Sequence, residues 1–183
     1  MSSERELQKS YGTEKRAEQF YNRQMRASLN DMMQRFLIER DMLFISTADS
    51  EGNCDSSIRV GVPGFIRVLD DKRIAFPEYR GNGVYASLGN IAENPHIGLL
   101  TIDFYKTTVG LHVNGKASIV DTLPECSDPL AERWVLVEVE EAYIQCSKHI
   151  PKLQPTAKKI VWNTDDEKAK GGDFFQCSTT TSA

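Results

Sequence analysis

The sequence predicts an α+β fold in which a six-stranded antiparallel β-barrel is flanked by helices. Three observations support this prediction. Short β-prone runs follow one another after residue 41, and clusters of turn-forming residues separate them. The connections are too short for crossover helices, which excludes a doubly wound parallel sheet. The 183 residues suffice for one core and would leave two cores small.

The N-terminal region is predicted to be helical once its polar start has passed. Residues 1–16 lack hydrophobic periodicity, so we interpret them as an arm. Asn30 and Asp31 are good caps and allow a separate helical piece to begin there. Apolar residues at helical spacing predict a helix that packs on the core. This stripe consists of Leu29, Met32, Met33, Phe36 and Leu37.

Strand-like runs occupy most of the middle of the chain. The first four are MLFISTAD, SSIRVGV, FIRVLD and RIAF. A short helix over Ser87–Ala92, ended by Asn94-Pro95, precedes HIGLLTIDF and GLHVNGKASIVD. We expect a loop and another short helix over residues 122–132. The last strand is RWVLVEVEEAYIQC, in which valines alternate with other residues.

These elements divide the chain into three parts. Residues 1–16 are the N-terminal arm, 17–153 form the folded domain, and the polar residues 154–183 are a C-terminal tail.

Composition excludes several classes of protein. There are 22 Lys and Arg residues against 26 Asp and Glu, a net charge of −4, which lacks the broad positive surface of nucleic-acid-binding proteins. No apolar run approaches the ~20 residues that span a bilayer, and the polar start is not a secretory signal. The four cysteines and three histidines are dispersed, so we expect no metal site. We expect a soluble, cytoplasmic protein.

The segment Phe76–Gly83 has the composition of a phosphate-binding loop. Its glycines permit close approach of a ligand to backbone N–H groups, and the helix that follows directs its N-terminus to the same place. Arg80 adds a guanidinium suited to phosphate. The alternative from spacing alone is an ordinary turn, because Gly-Asn-Gly is a common turn sequence.

Residues from about Tyr11 to Leu153 resemble the pyridoxamine 5′-phosphate oxidase-like family of FMN-binding split barrels. The similarity is carried, in this order, by MLFISTADSEGNCDSSIRVGVPGFIRVLDD, AFPEYRGNGVYASLGNIAENPHIGLL, GLHVNGKASIV and RWVLVEVEEAYIQCSKHIPKL. The resemblance implies a split barrel, a homodimer, and FMN in grooves at the subunit interface. The similarity is to the broad uncharacterised branch of the family rather than to the biosynthetic oxidase.

The resemblance also implies roles for individual residues. One strand would run beside the flavin ring and reach its phosphate, the end of the next would meet the ring's polar edge, and a loop and helix start would hold the phosphate. These cofactor-binding residues are Ser57, Ile58, Arg59 and Val60; Phe76 and Pro77; Arg80, Gly81 and Asn82; and Ser87. The biosynthetic enzymes carry adjacent basic residues in this loop. Here one Arg precedes Gly-Asn-Gly-Val, so backbone and amide groups would contribute more.

A later segment would serve the flavin of the partner subunit. By resemblance, Ser147 donates a hydrogen bond and Lys148 stabilises negative charge near the reduced ring; the alternative is that Lys148 is a surface lysine. We interpret Cys146 as an ordinary buried residue. His112 alternates with apolar neighbours and is interpreted as exposed or hydrogen-bonded. Trp134 and Trp162 would either cover a flavin or pack as anchors; no residue is assigned a catalytic role.

The function predicted is that of an FMN-dependent oxidoreductase. Hydride would pass between the flavin and an unknown small-molecule substrate, with NADH or NADPH as the candidate donor. Two alternatives stay open. One is a non-catalytic flavin carrier or redox sensor, and the other is a relative that binds a deazaflavin or heme.

Overall fold

The structure, a computed structural model, describes residues 3–156, 160–166 and 168–177. In these ranges an antiparallel sheet of seven strands is flanked by four α-helices and a short 3-10 helix. The helices are α1 Ser3–Ser10, α2 Glu14–Arg23, α3 Asp31–Ile38, α4 Ala86–Glu93 and the 3-10 helix Ser147–His149. The strands are β1 Met42–Ala48, β2 Cys54–Val60, β3 Arg67–Val68, β4 Arg73–Tyr79, β5 His96–Ile102, β6 Gly110–Val120 and β7 Ala131–Gln145.

The sheet is a barrel that does not close. Its strands lie in the order β2-β1-β5-β6-β7-β4-β3, so β2 and β3 are the edges. In a flat sheet these edges would be about 29 Å apart. The chain passes from Val60 to Arg67 in a link that spans at most about 25 Å, so the sheet has to curl. This is the predicted α+β split barrel, with seven strands instead of six because the two-residue β3 forms its own edge.

The link between the two edges contributes to the core. Within the run FIRVLD only Arg67 and Val68 pair as a strand, against β4. Phe65 and Ile66 are fully buried instead. A Cβ at Gly61 would overlap the Phe65 ring, so the turn needs a glycine at that position. The link therefore packs two side chains into the core between the edge strands.

The core lies inside the curled sheet and includes apolar side chains of α3 and α4. Alternate residues of β7 are buried, as the valine pattern predicts. The fully buried large side chains are Leu29, Leu37, Leu43, Ile45, Phe65, Ile66, Ile74, Phe76, Leu99, Val113, Val135 and Val137.

The helical region divides at Asn30, as one of the two sequence alternatives allows. The Asn30 side chain accepts a hydrogen bond from the Met33 N–H at 2.9 Å and begins α3. Leu37 is buried, but Met32 is 80% exposed, so the apolar stripe is narrower than predicted. Part of the segment interpreted as an arm, residues 3–10, is helical as α1.

The helix expected over residues 122–132 does not form. Residues 121–130 contain turns, and β7 already begins at Ala131. Pro124 and Pro129 restrict the residues before them to extended backbone, which opposes a helix here. In the described ranges, no helix has the length and apolarity that a bilayer crossing requires.

Candidate functional site

A cleft of about 570 Å³ opens where the barrel is split. Its walls come from edge strand β2, the end of β4, the loop 80–85 and the start of α4. Strand β3 pairs only with the first part of β4, so in the described part of the chain the end of β4 has no paired strand on that side. The cleft therefore exists because β3 is short.

An ion pair spans the opening. Arg59 on β2 donates from Nε to the Glu78 carboxylate on β4 at 2.6 Å. The two side chains are only 18% and 12% exposed. A second donor of Arg59 reaches the Ile58 carbonyl at 3.3 Å. The predicted cation Arg59 thus already has a carboxylate partner and holds the two edges of the cleft together.

The cleft is lined at one end by two serines and a carboxylate. The Ser57 and Ser87 hydroxyls lie 2.8 Å apart, and both donate to Asp55 Oδ2, at 3.1 and 2.6 Å. Ser57 is on β2 and Ser87 is in the first turn of α4, so this cluster joins the strand to the helix. Asp55 was missed by the sequence analysis, although strand alternation places it on the same face as Ser57.

The loop 80–85 and the start of α4 line the cleft side by side. Gly83 has φ +79° and Tyr85 has φ 57°, both left-handed, and Asn82 Oδ1 accepts the Val84 N–H at 3.0 Å. Tyr85 is the N-cap of α4 but makes no side-chain cap hydrogen bond. The free N–H groups in the first turn of a helix favour an anion. Loop and helix start together have the chemistry of a phosphate site.

The outer rim of the cleft is apolar. Ile58, Val84 and Tyr85 are exposed hydrophobic residues on it. The Arg133 guanidinium lies 5.1 Å from the centre of the Tyr85 ring. Exposed apolar side chains next to polar donors are typical of a ligand site.

The C-terminal segment forms the remaining wall. Residues 160–163 line the cleft, and the Trp162 ring meets the Tyr79 ring edge-on at 5.2 Å. The Arg80 N–H donates to Asn163 Oδ1 at 3.3 Å, and the Arg80 guanidinium pairs with Asp165 at 2.5 Å. Sequence analysis weighed Trp162 as a possible cover but missed the other two residues, because the polar tail has no periodicity that would indicate contacts.

Tyr79 is kept in its neutral form at this wall. Burial raises the pKa of the Tyr79 hydroxyl well above its ordinary value, and its hydrogen bond to Asp128 at 2.8 Å raises the pKa further. The hydroxyl therefore stays protonated at physiological pH and donates a hydrogen bond to Asp128.

Eight of the predicted cofactor-binding residues line this cleft: Ser57, Ile58, Arg59, Val60, Arg80, Gly81, Asn82 and Ser87. Phe76 and Pro77 do not, and their side chains are buried in β4. Ser147 and Lys148 are exposed on the 3-10 helix after β7 and lie outside the lining of this cleft. Of the residues weighed besides these, His112 bonds Gln145 at 2.6 Å and stacks on Tyr143, whereas Cys146 is exposed rather than buried.

Comparison with known proteins identifies the family. The family model described as pyridoxamine 5′-phosphate oxidase matches residues 29–161, which include every strand and α4. The chain belongs to this family. The predicted family resemblance is confirmed, and the family includes oxidoreductases. None of the curated proteins compared matches the chain.

Two solved structures show the same fold. HupZ from Group A Streptococcus is 16% identical, with a TM-score of 0.50 over 69% of this chain and 100% of HupZ. A candidate pyridoxamine 5′-phosphate oxidase from Lactobacillus delbrueckii is 18% identical, with a TM-score of 0.50 over 64% of this chain and 95% of the other. At these identities the likeness concerns the fold alone.

The residues of the cleft fit FMN. A volume of about 570 Å³ lies within the range of about 300–1,000 Å³ usual for cofactor sites. Arg80 and the uncapped start of α4 suit a phosphate, and the apolar rim suits a flat ring. The carboxylates that face the cleft have partners: Glu78 is paired with Arg59, and Asp55 accepts two hydroxyls.

Proposed function

We propose that this protein is an FMN-dependent oxidoreductase acting on a small-molecule substrate. The observation that carries the proposal is the combination of Arg80, the glycine-containing loop and the uncapped start of α4 at one cleft. Membership of the pyridoxamine 5′-phosphate oxidase family supports the flavin. Bound FMN would supply hydride transfer, while the protein binds it, tunes it and limits access to its ring.

The residues of the chain would divide this work. Arg80 and the N–H groups of the loop and helix start would hold the phosphate. Ile58, Val84 and Tyr85 would cover ring surface. The Arg59–Glu78 pair would keep β2 and β4 at a fixed separation, so that the cleft is formed before the ligand arrives.

Titration with FMN tests the proposal. We expect wild-type protein to bind FMN and Arg80→Gln to bind it about tenfold or more weakly, because a charge-assisted hydrogen bond to phosphate is lost. Arg35→Gln is the matched control, since Arg35 is exposed on α3 outside the cleft. Absence of FMN binding to the wild type would reject the proposal.

Anaerobic mixing then separates an enzyme from a flavin carrier. An oxidoreductase with bound FMN should lose its flavin absorbance on addition of NADH or NADPH and regain it with an acceptor, over repeated turnovers. A carrier or sensor would hold the flavin without turnover.

We also propose a homodimer in which Ser147 and Lys148 of one subunit reach the cleft of the other. Their exposure on the 3-10 helix, away from the cleft of their own subunit, supports this arrangement. A monomeric mass by equilibrium sedimentation of the FMN-loaded protein would contradict it.

A further inference from the structure

Residues 160–166, here called the strap, occupy the groups that a phosphate would need. The strap meets Arg80 twice: Asn163 Oδ1 accepts its backbone N–H at 3.3 Å, and Asp165 accepts from its guanidinium at 2.5 Å. Both contacts place an oxygen acceptor of the strap on a donor of the proposed phosphate site. The strap therefore presents, in protein form, part of the chemistry of a phosphate group.

Asp165 is held by two cations. Its Oδ2 lies near Arg80, and its Oδ1 lies 3.5 Å from Lys170 Nζ. A carboxylate and a phosphate compete for one guanidinium because each offers a pair of oxygens that can accept from its planar fork of N–H groups. A ligand phosphate that reached Arg80 would have to displace Asp165 or share the guanidinium with it.

Further contacts attach the strap beside this ion pair. Trp162 packs on Tyr79 at the cleft wall, and Asn163 Nδ2 donates to the Leu130 carbonyl at 3.4 Å. The ion pair itself is exposed, with Arg80 50% and Asp165 61% accessible. Exposed pairs contribute little free energy, so the contact at Arg80 can be exchanged at low cost. We expect the aromatic contact of Trp162 to keep the strap beside the cleft when the ion pair is exchanged.

We infer that the strap is a displaceable latch: Asp165 pairs with Arg80 when no phosphate-bearing ligand is bound and releases it when one enters. The inference rests on the proposed function, since it takes the FMN phosphate as the ligand of Arg80. It adds that the protein carries its own competitor for that phosphate, so that apparent FMN affinity depends on Asp165.

Asp165→Asn tests the latch in the full-length protein. The variant keeps the shape of the side chain and removes its charge. We expect FMN to bind about two- to fivefold more tightly than to wild type at low salt, with the gain shrinking as salt screens the exposed pair. Asp166→Asn is the matched control, because Asp166 is the exposed neighbour and its carboxylate accepts from the Lys168 N–H instead. Riboflavin, which lacks the phosphate, should bind wild type and Asp165→Asn equally.

The outcomes separate the latch from the proposed function. If FMN binds wild type and Asp165→Asn equally, or binds the variant more weakly, the latch is wrong and FMN binding stands. If neither protein binds FMN, the proposed function is wrong. In that case the latch is tested by titrating the protein with inorganic phosphate and measuring tryptophan fluorescence. The Trp162→Phe variant shows which part of the emission comes from Trp162 and which from the buried Trp134. An emission change in wild type supports the latch, and an unchanged emission overturns it.

Discussion

At the scale of single residues, the two arginines of the cleft lie in different environments although both were expected to bind the cofactor. Arg59 is largely buried against Glu78, which lies 19 residues away in sequence. Arg80 is half exposed, and its partner Asp165 is also exposed. A buried pair is costly to break, whereas an exposed pair exchanges readily. We therefore expect a ligand to recruit Arg80 rather than Arg59, whose ion pair joins β2 to β4.

The family resemblance assigned Ser57 and Ser87 to the cofactor site, but it did not indicate the acidic side chains that lie beside the site residues. The hydroxyls of Ser57 and Ser87, which are 30 residues apart in sequence, lie 2.8 Å from each other. The sequence showed no motif for the two carboxylates of this site, Asp55, which accepts both hydroxyls, and Glu78, which pairs with Arg59. An acid in a strand is indistinguishable from a solvent-facing acid until its neighbours across the sheet are known.

Gly81 offers a test of how closely a ligand approaches the loop. A Cβ at this position would meet no atom within 4 Å, so Gly81→Ala should leave the free energy of unfolding nearly unchanged. If FMN phosphate lies against the loop backbone, the added methyl group should weaken FMN binding about three- to tenfold by disturbing one hydrogen bond. Isothermal titration would measure the affinity and chemical denaturation the stability.

Gly89→Ala is the companion variant for this measurement. A Cβ at Gly89, in α4, also meets no atom within 4 Å, and the residue does not line the cleft. Its FMN affinity should equal that of wild type. Equal affinities for Gly81→Ala and Gly89→Ala would mean that the ligand does not approach the loop.

At the scale of elements, the strands and α4 could be predicted because their signals are local. These signals are the alternation of apolar residues, the turn residues between strands, and the Asn94-Pro95 pair that ends α4. Two elements differ. The helix expected over 122–132 gave way to turns around its prolines, and β3 shrank to two residues because its apolar residues pack into the core instead of pairing. That shortening is what leaves room for the cleft, and no local signal shows it.

The strand pair β6–β7 depends on one glycine. Pairing shifts register between Asn114 and Gly115, and a Cβ at Gly115 would overlap the Glu138 carbonyl oxygen. Backbone cannot move aside as a flexible side chain can. We expect Gly115→Ala to lower the free energy of unfolding by about 1–3 kcal/mol, measured by urea denaturation.

Gly98→Ala in β5 shows whether the effect is specific to that position. Its Cβ would make ordinary contacts, with Asn114 Oδ1 at 3.6 Å and Ser46 Cβ at 3.9 Å. This variant should be close to wild type in stability. A loss as large in Gly98→Ala would show that any alanine in these strands is harmful and that the close approach at Gly115 is not the cause.

At the scale of the whole molecule, two ion pairs join parts of the barrel that are far apart in sequence. Arg59–Glu78 spans the open edge, and the buried Arg40–Asp103 pair, at 3.3 Å, ties the end of α3 to the chain after β5. The fold class followed from the order of strands and the short connections. The split was predicted by the family resemblance and not by local patterns, because it depends on where edge strands end and which side chains replace their pairing.

Asp103 makes stability depend on pH. Burial raises the pKa of its carboxyl, but hydrogen bonds from the backbone N–H groups of Lys106, Thr107 and Tyr105 and from the Thr107 hydroxyl outweigh burial, so its pKa in the folded protein lies below the ordinary 3.8. The unfolded chain therefore binds a proton more readily than the folded chain. The stabilisation is complete above the ordinary pKa and is lost as pH falls through the folded-state pKa.

Asp103→Ala measures this contribution. At neutral pH the variant should lose about 3–5 kcal/mol of unfolding free energy, because Arg40 is left buried without the Asp103 carboxylate. The difference from wild type should shrink as pH is lowered below 3.8, since Asp103 of the unfolded wild-type chain then binds a proton that the folded chain does not. Asp121→Ala, at an exposed position, should match wild type at every pH. A difference between Asp103→Ala and wild type that stayed constant on acidification would show that Asp103 acts through packing and not through its charge.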